Sequence, residues 1–137
     1  MIRTATAHWE GDLKAGKGNL STASTTLNKT QYSYNTRFAD GVGTNPEELL
    51  AAAHAGCFTM AVSLFLGKAG FTATSLDTTA TVTMEGTSIT RVHLAITGKV
   101  PGISQEKFSE VTKTAEKNCL ISKVLSIPIS SETVLLN

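Results

Sequence analysis

Cys57 and Cys119 are the two cysteines of this chain, 62 residues apart. Two thiols can do redox chemistry only if one is a thiolate and the other can reach it. Cys57 lies within Leu49–Leu66, eighteen residues without a charge. Burial in such a stretch favours the neutral S–H, so the thiol is inert unless something offsets the cost. Turning a few per cent of thiolate into a majority takes roughly 3 kcal/mol of differential stabilisation. A helix N-terminal dipole cannot supply it, because Cys57 is well past the first turn. A cation is required, and Arg37 in Asn35-Thr36-Arg37-Phe38 is the candidate. Arginine stays charged when desolvated, and its fork can serve a carboxylate and a thiolate together. Glu47 or Glu48 would hold it in place. Against this stands the plainer reading of Cys57 as a small core residue. Cys119 follows the end of a predicted helix and opens another turn, where backbone N–H groups lower a thiol pKa; it too has a packing alternative.

Other constellations carry less. His54 precedes Cys57 by three residues, a Cys/His spacing that suggests a hydrolase, but a histidine on a buried helix also reads as a hydrogen-bonded core residue. No CxxC or HxxxH pairing suggests a metal, and the glycines at 11, 16 and 18 match no phosphate-binding loop. A net charge of +1 with scattered Lys and Arg argues against a nucleic-acid partner. The N-terminal residues lack an apolar signal region, so the expected location is cytoplasmic, where thiols stay reduced. Leu49–Leu66 is just long enough to span a bilayer, yet its Ala, Gly, His54, Thr59 and Ser63 read as a core helix, with no membrane partner.

The elements that must position these residues follow from local pattern. Thr4–Trp9, Lys17–Thr22 and Gln31–Phe38 are candidate strands. Asn45 or Thr44 caps a helix with Pro46 at its first position and Glu47 and Glu48 complementing the dipole. That helix is apolar nearly all round, so burial on most sides is expected, with a second subunit covering one face. Leu76–Glu85 and Thr90–Lys99 alternate with period two around Gly86-Thr87-Ser88, a hairpin. Ser104 caps a helix through Lys117 whose core stripe is Phe108, Val111, Thr112 and Ala115. Leu120–Leu125 gives further helical turns, and Pro128–Leu136 a last strand. The pattern is α+β, one domain over 1–137.

Gly43-Thr44-Asn45-Pro46-Glu47-Glu48-Leu49-Leu50-Ala51-Ala52-Ala53-His54-Ala55-Gly56-Cys57-Phe58 closely resembles the central signature of the osmotically inducible protein C (OsmC) family, which includes the organic hydroperoxide resistance (Ohr) proteins. The likeness extends to Ala7–Asp12, Asn35–Phe38, Ala69–Phe71, Val100–Gly102 and the region of Cys119, nearer the OsmC branch. The resemblance implies antiparallel sheets packed around a long buried central helix in an intertwined homodimer. It implies a dithiol-dependent peroxidase for organic hydroperoxides in oxidative or osmotic stress defence, without cofactor or metal. Cys57 would match the peroxidatic cysteine, Cys119 the resolving one, and Arg37 and Glu47 the pair that activates the thiolate. One departure is visible: proline commonly follows the family's second cysteine, and Leu120 stands here. A non-catalytic thiol sensor or small-molecule binder on the same fold is the alternative.

Glu47 and Cys57 are ten residues apart on one predicted helix, ~15 Å along its axis and on different faces. One guanidinium cannot easily serve both within a single straight helix. Two such helices antiparallel across a two-fold axis would bring Glu47 of one subunit to Cys57 of the other. A bend in the helix is the alternative.

Overall fold

The structure, a computed structural model, describes Met1–Asn137. The chain forms two compact units, Met1–Leu49 and Leu50–Asn137, and the helix Pro46–Lys68 begins in the first and continues into the second.

The first unit is a three-stranded antiparallel sheet, β1 (Ala5–Glu10), β2 (Lys17–Thr22) and β3 (Thr30–Tyr32), in that order. Gly18 on β2 leaves room for the rings of Trp9 and Tyr32, which meet edge to face at 5.5 Å; a Cβ there would press on both. The strand expected through Phe38 stops at Tyr32. Ser33 caps a short helix, α1 (Tyr34–Phe38), in a reciprocal box: the Thr36 N–H donates to Ser33 Oγ (3.2 Å) and the Ser33 N–H to Thr36 Oγ1 (2.8 Å). Two backbone donors satisfied locally outweigh the β preference of the flanking aromatics. The consequence is that Arg37 sits in the last turn of a helix rather than on a strand.

The long helix is α2 (Pro46–Lys68). Asn45 starts it, accepting the Glu48 N–H on Oδ1 at 2.7 Å. Its apolar composition does not translate into burial all round. Only His54, Phe58, Val62 and Leu66, a single stripe at spacing four, are buried, while Met60 and Leu64 are exposed. The elements that follow it in the chain pack against this one stripe. By length and composition α2 could cross a membrane, but its buried stripe belongs to a protein core.

That core is built on β4 (Ser75–Glu85) and β5 (Ser88–Lys99), a hairpin turning at Gly86-Thr87. Gly86 has φ 61° and Thr87 is not left-handed, the pattern of a type II′ turn, whose twist suits the strands. Pro101-Gly102 ends β5, and the chain crosses through α3 (Gln105–Asn118) and α4 (Leu120–Val124) to β6 (Ile129–Leu135). A strand that returns by a helical crossover runs parallel, and β6 pairs parallel with β5 in a sheet ordered β4-β5-β6. One ladder of an otherwise antiparallel pair of sheets is therefore parallel. Ser104 caps α3, and its stripe of Phe108, Val111, Thr112 and Ala115 is buried as its sequence predicts. Phe58, Val62 and Leu66 of α2 join Val92, Leu94 and Ile96 of β5 and Phe108 of α3 in one cluster. Burying side chains of this size contributes about 1.5–3 kcal/mol each, enough to fix the rotation of α2 and with it the direction of Cys57.

Candidate active site

Cys57 precedes Phe58 of the buried stripe by one residue, so it lies at the stripe's margin, half-buried. Cys119 ends α3 and begins α4, with its N–H donating to the Ala115 carbonyl (2.8 Å), and is 1% exposed. The crossover that makes β6 parallel thus brings the α3–α4 junction against α2, so that both thiols line one groove and Cys57 packs against the core cluster that includes Cys119. Both are free thiols.

Their environments push them apart. Burial works to raise the Cys57 pKa, but hydrogen bonding from the Cys119 side chain and from the Ile121 and Leu120 N–H groups outweighs it, and the thiol ends below its usual range. Cys119 goes the other way. Burial raises it, and its role as donor to Cys57 adds to the rise, against the lowering effect of the Ser122 N–H and hydroxyl and the Ile121 N–H. One thiol is set to be the thiolate and the other to keep the proton. Backbone donors of this turn act on Cys119, as expected, but do not offset its burial, and they also help to favour the Cys57 thiolate.

Leu120 bears directly on this. It is the first residue of α4, where its N–H is not needed by the helix and helps to lower the Cys57 pKa. A proline there fits the helix and removes that donor. Leu120→Pro is therefore expected to leave the fold intact and to shift the alkylation of Cys57 by iodoacetamide to higher pH. An unchanged profile would mean that the Leu120 amide does not act on the sulfur.

The thiols open onto an apolar groove of about 720 Å³, lined by Met60, Ala61, Leu64 and Phe65 of α2 and by Leu120. These α2 residues recur at three, four, seven and eight positions after Cys57, one helical face. A uniformly apolar helix gives no stripe to read, which is why they escape sequence reasoning. Phe58, the residue after Cys57, faces the core instead, fully buried.

Arg37 and Glu47 also come together, within the first unit. Arg37 Nε donates to Glu47 Oε1 at 2.7 Å, a pair in which the carboxylate is mostly buried and the arginine about half exposed. The bond engages Nε, so the terminal nitrogens of the guanidinium remain for another acceptor. Glu47 Oε2 is buried with no partner. Glu48 has a separate role, accepting from Thr44 Oγ1 at 2.8 Å. His54 turns to Ser122, with Nε2 and Oγ 2.8 Å apart, and is not a base for Cys57. No cluster of three metal-ligating side chains exists.

Comparison with known proteins decides what frame this site belongs to. The family model for OsmC-like proteins matches residues 39–133. Peroxiredoxin OsmC of Escherichia coli (strain K12) is 51% identical over 128 residues, covering 90% of both chains. The chain belongs to the OsmC family. The OsmC fold extends to distant structures. An OsmC-like protein of Vibrio cholerae superposes with TM-score 0.75 at 17% identity, covering 98% of this chain and 99% of that one. The organic hydroperoxide resistance protein OhrB of Bacillus subtilis superposes with TM-score 0.66 at 22% identity, covering 97% and 98%. The thiol pair and groove described above are thus features of an OsmC-family chain.

Proposed function

We propose that this protein is a cysteine-based peroxidase that reduces organic hydroperoxides to alcohols at the expense of an external dithiol. The observation that carries it is the contact between a thiol held toward ionisation, Cys57, and a buried thiol donor, Cys119, at an apolar groove. Its 51% identity to a protein named Peroxiredoxin OsmC supports the same reaction class.

The Cys57 thiolate attacks the terminal peroxide oxygen, the O–O bond breaks, and the alkoxide leaves as alcohol after taking a proton. Cys57 becomes a sulfenic acid. Cys119 attacks that sulfur, the S–S bond forms, and hydroxide leaves with the Cys119 proton as water. A dithiol then reduces the disulfide by exchange. No cofactor enters this cycle. The groove wall of Met60, Leu64, Phe65 and Leu120 suits an alkyl or aryl tail better than hydrogen peroxide. A reducing cytoplasm would supply the dithiol and keep both cysteines free.

Arg37 and Glu47 complete the site from a second subunit. Three features favour this. Arg37 and Glu47 are already paired, so they move as one group. Glu47 Oε2 lacks a partner within the chain. Met60, Leu64, Leu120 and Val124 are exposed apolar side chains that a homodimer interface would cover. The guanidinium of one subunit would then face the partner's thiolate, steadying it and donating to the peroxide as charge develops. Mixing Cys57→Ser with Glu47→Ala protomers checks the arrangement. Each heterodimer keeps one site with both residues intact, so peroxidase activity returns on mixing. Heterodimers that form and stay inactive would put both residues in one subunit's site.

A further inference from the structure

His54 is fully buried in the stripe that anchors α2, whose other members are Phe58, Val62 and Leu66. An aliphatic residue would fill such a position at no polar cost, whereas the imidazole leaves its Nδ1 buried without a partner. What the ring adds is one hydrogen bond. Its Nε2 lies 2.8 Å from Ser122 Oγ, a link across 68 residues of sequence. With Nδ1 unpartnered, the single proton of the neutral ring belongs on Nε2, donated to the hydroxyl. Burial holds the His54 pKa down, with Glu116 opposing, so the ring stays neutral.

Ser122 belongs to α4, which has little else to hold it. None of its five residues is buried, no side chain caps its start, and Leu120 and Val124 are exposed. Ile121 packs against the core while partly exposed. The one side-chain hydrogen bond that α4 makes is Ser122 to His54. Cys119 joins α4 to the helix before it: its carbonyl accepts the Lys123 N–H at 3.0 Å, and its own N–H donates to Ala115 at 2.8 Å. Whatever fixes α4 therefore fixes the backbone that carries the Cys119 sulfur. Leu120 of the same turn lines the groove beside Cys57.

We propose that His54 is a positioning residue for resolution: through Ser122 it anchors α4 to α2 and so holds Cys119 where it can attack the oxidised Cys57. The proposal rests on Cys119 being the resolving residue of the peroxidase described above. The Cys57 sulfenic acid has two fates. Either the Cys119 sulfur forms the S–S bond while the Cys57 hydroxyl leaves with the Cys119 proton as water, or a second hydroperoxide transfers an oxygen, leaves as alcohol and gives sulfinic acid. Without its anchor α4 samples other positions, Cys119 is in reach for less of the time, and the second fate gains. The ring takes no proton and bonds to neither sulfur; it acts through Ser122.

The test compares Ser122→Ala, Ser122→Thr and the double variant His54→Leu with Ser122→Ala against the unsubstituted protein. Hydrogen exchange of the Lys123 and Leu125 amides, both bonded within this turn, reports on α4. Ser122→Ala is expected to speed it about tenfold, the worth of a buried hydrogen bond whose partner is left unpaired. The fraction of Cys57 over-oxidised per turnover of cumene hydroperoxide should rise by a similar factor. That fraction compares two fates of one intermediate, so it does not depend on how fast the sulfenic acid forms. Ser122→Thr, which keeps the hydroxyl, restores both, and the double variant is no worse than Ser122→Ala, because both residues act through one bond. Unchanged exchange in Ser122→Ala overturns the anchor. Faster exchange with an unmoved over-oxidised fraction overturns its role in positioning Cys119. Faster exchange with the hydroperoxide unconsumed by every one of these proteins would instead sink the peroxidase reading and leave the anchor standing.

Discussion

Cys57→Ser protein consumes cumene hydroperoxide in the presence of dithiothreitol no faster than the uncatalysed reaction, while remaining folded. The reason is chemical rather than structural. A serine hydroxyl is not ionised at neutral pH and cannot carry the oxygen that sulfur accepts from a peroxide. The replacement is close to isosteric, and its oxygen can accept from the Leu120 and Ile121 N–H groups that now serve the thiolate. Position 57 is only half-buried, beside rather than within the stripe that anchors α2. Loss of activity with an unchanged unfolding transition therefore reports on the sulfur alone. Turnover near that of the unsubstituted protein would remove Cys57 from the reaction.

Cys119→Ser has a different expected outcome. The first equivalent of hydroperoxide is still reduced, but no disulfide forms. The sulfenic acid at Cys57 then persists beside an open groove and meets more peroxide, giving sulfinic and sulfonic acid within a few turnovers. Serine suits the start of α4, since it is among the preferred N-cap residues, so the helix and its N–H groups stay in place. The variant also loses the S–H donor to Cys57, so the alkylation profile of Cys57 moves to higher pH. If the variant resists over-oxidation as well as the unsubstituted protein, Cys119 is not the resolving residue.

Most elements were legible because their signals are local. Period-two alternation located β4 and β5, Ser104 located α3, and Asn45-Pro46-Glu47 located the start of α2. The misreading at Gln31–Phe38 came from weighing β-prone aromatics above the Ser33–Thr36 capping box, which was present in the letters. The parallel setting of β6 is a property of the crossover, not of the strand, and alternation along Ile129–Leu135 cannot reveal it. Within one chain α2 buries a single stripe, because composition gives hydrophobicity and not which neighbours, this chain's or a partner's, cover it. At the site, Cys57 and Cys119 could be named from sequence, and so could Arg37 with Glu47. The amides of Leu120 and Ile121 could not, because every residue has one and only the fold aims it. Ser122 was hidden for a similar reason: its link to His54 spans 68 residues of sequence.

The proposed chemistry stands or falls on where oxygen and sulfur go in the first turnover. Reduced protein treated with one equivalent of cumene hydroperoxide, blocked with an alkylating agent and digested without reductant gives the answer by peptide mass spectrometry. The expected result is one intrachain link joining the peptides that carry Cys57 and Cys119, and its disappearance on adding dithiothreitol. Both cysteines recovered as alkylated thiols, with the hydroperoxide unconsumed, would contradict it.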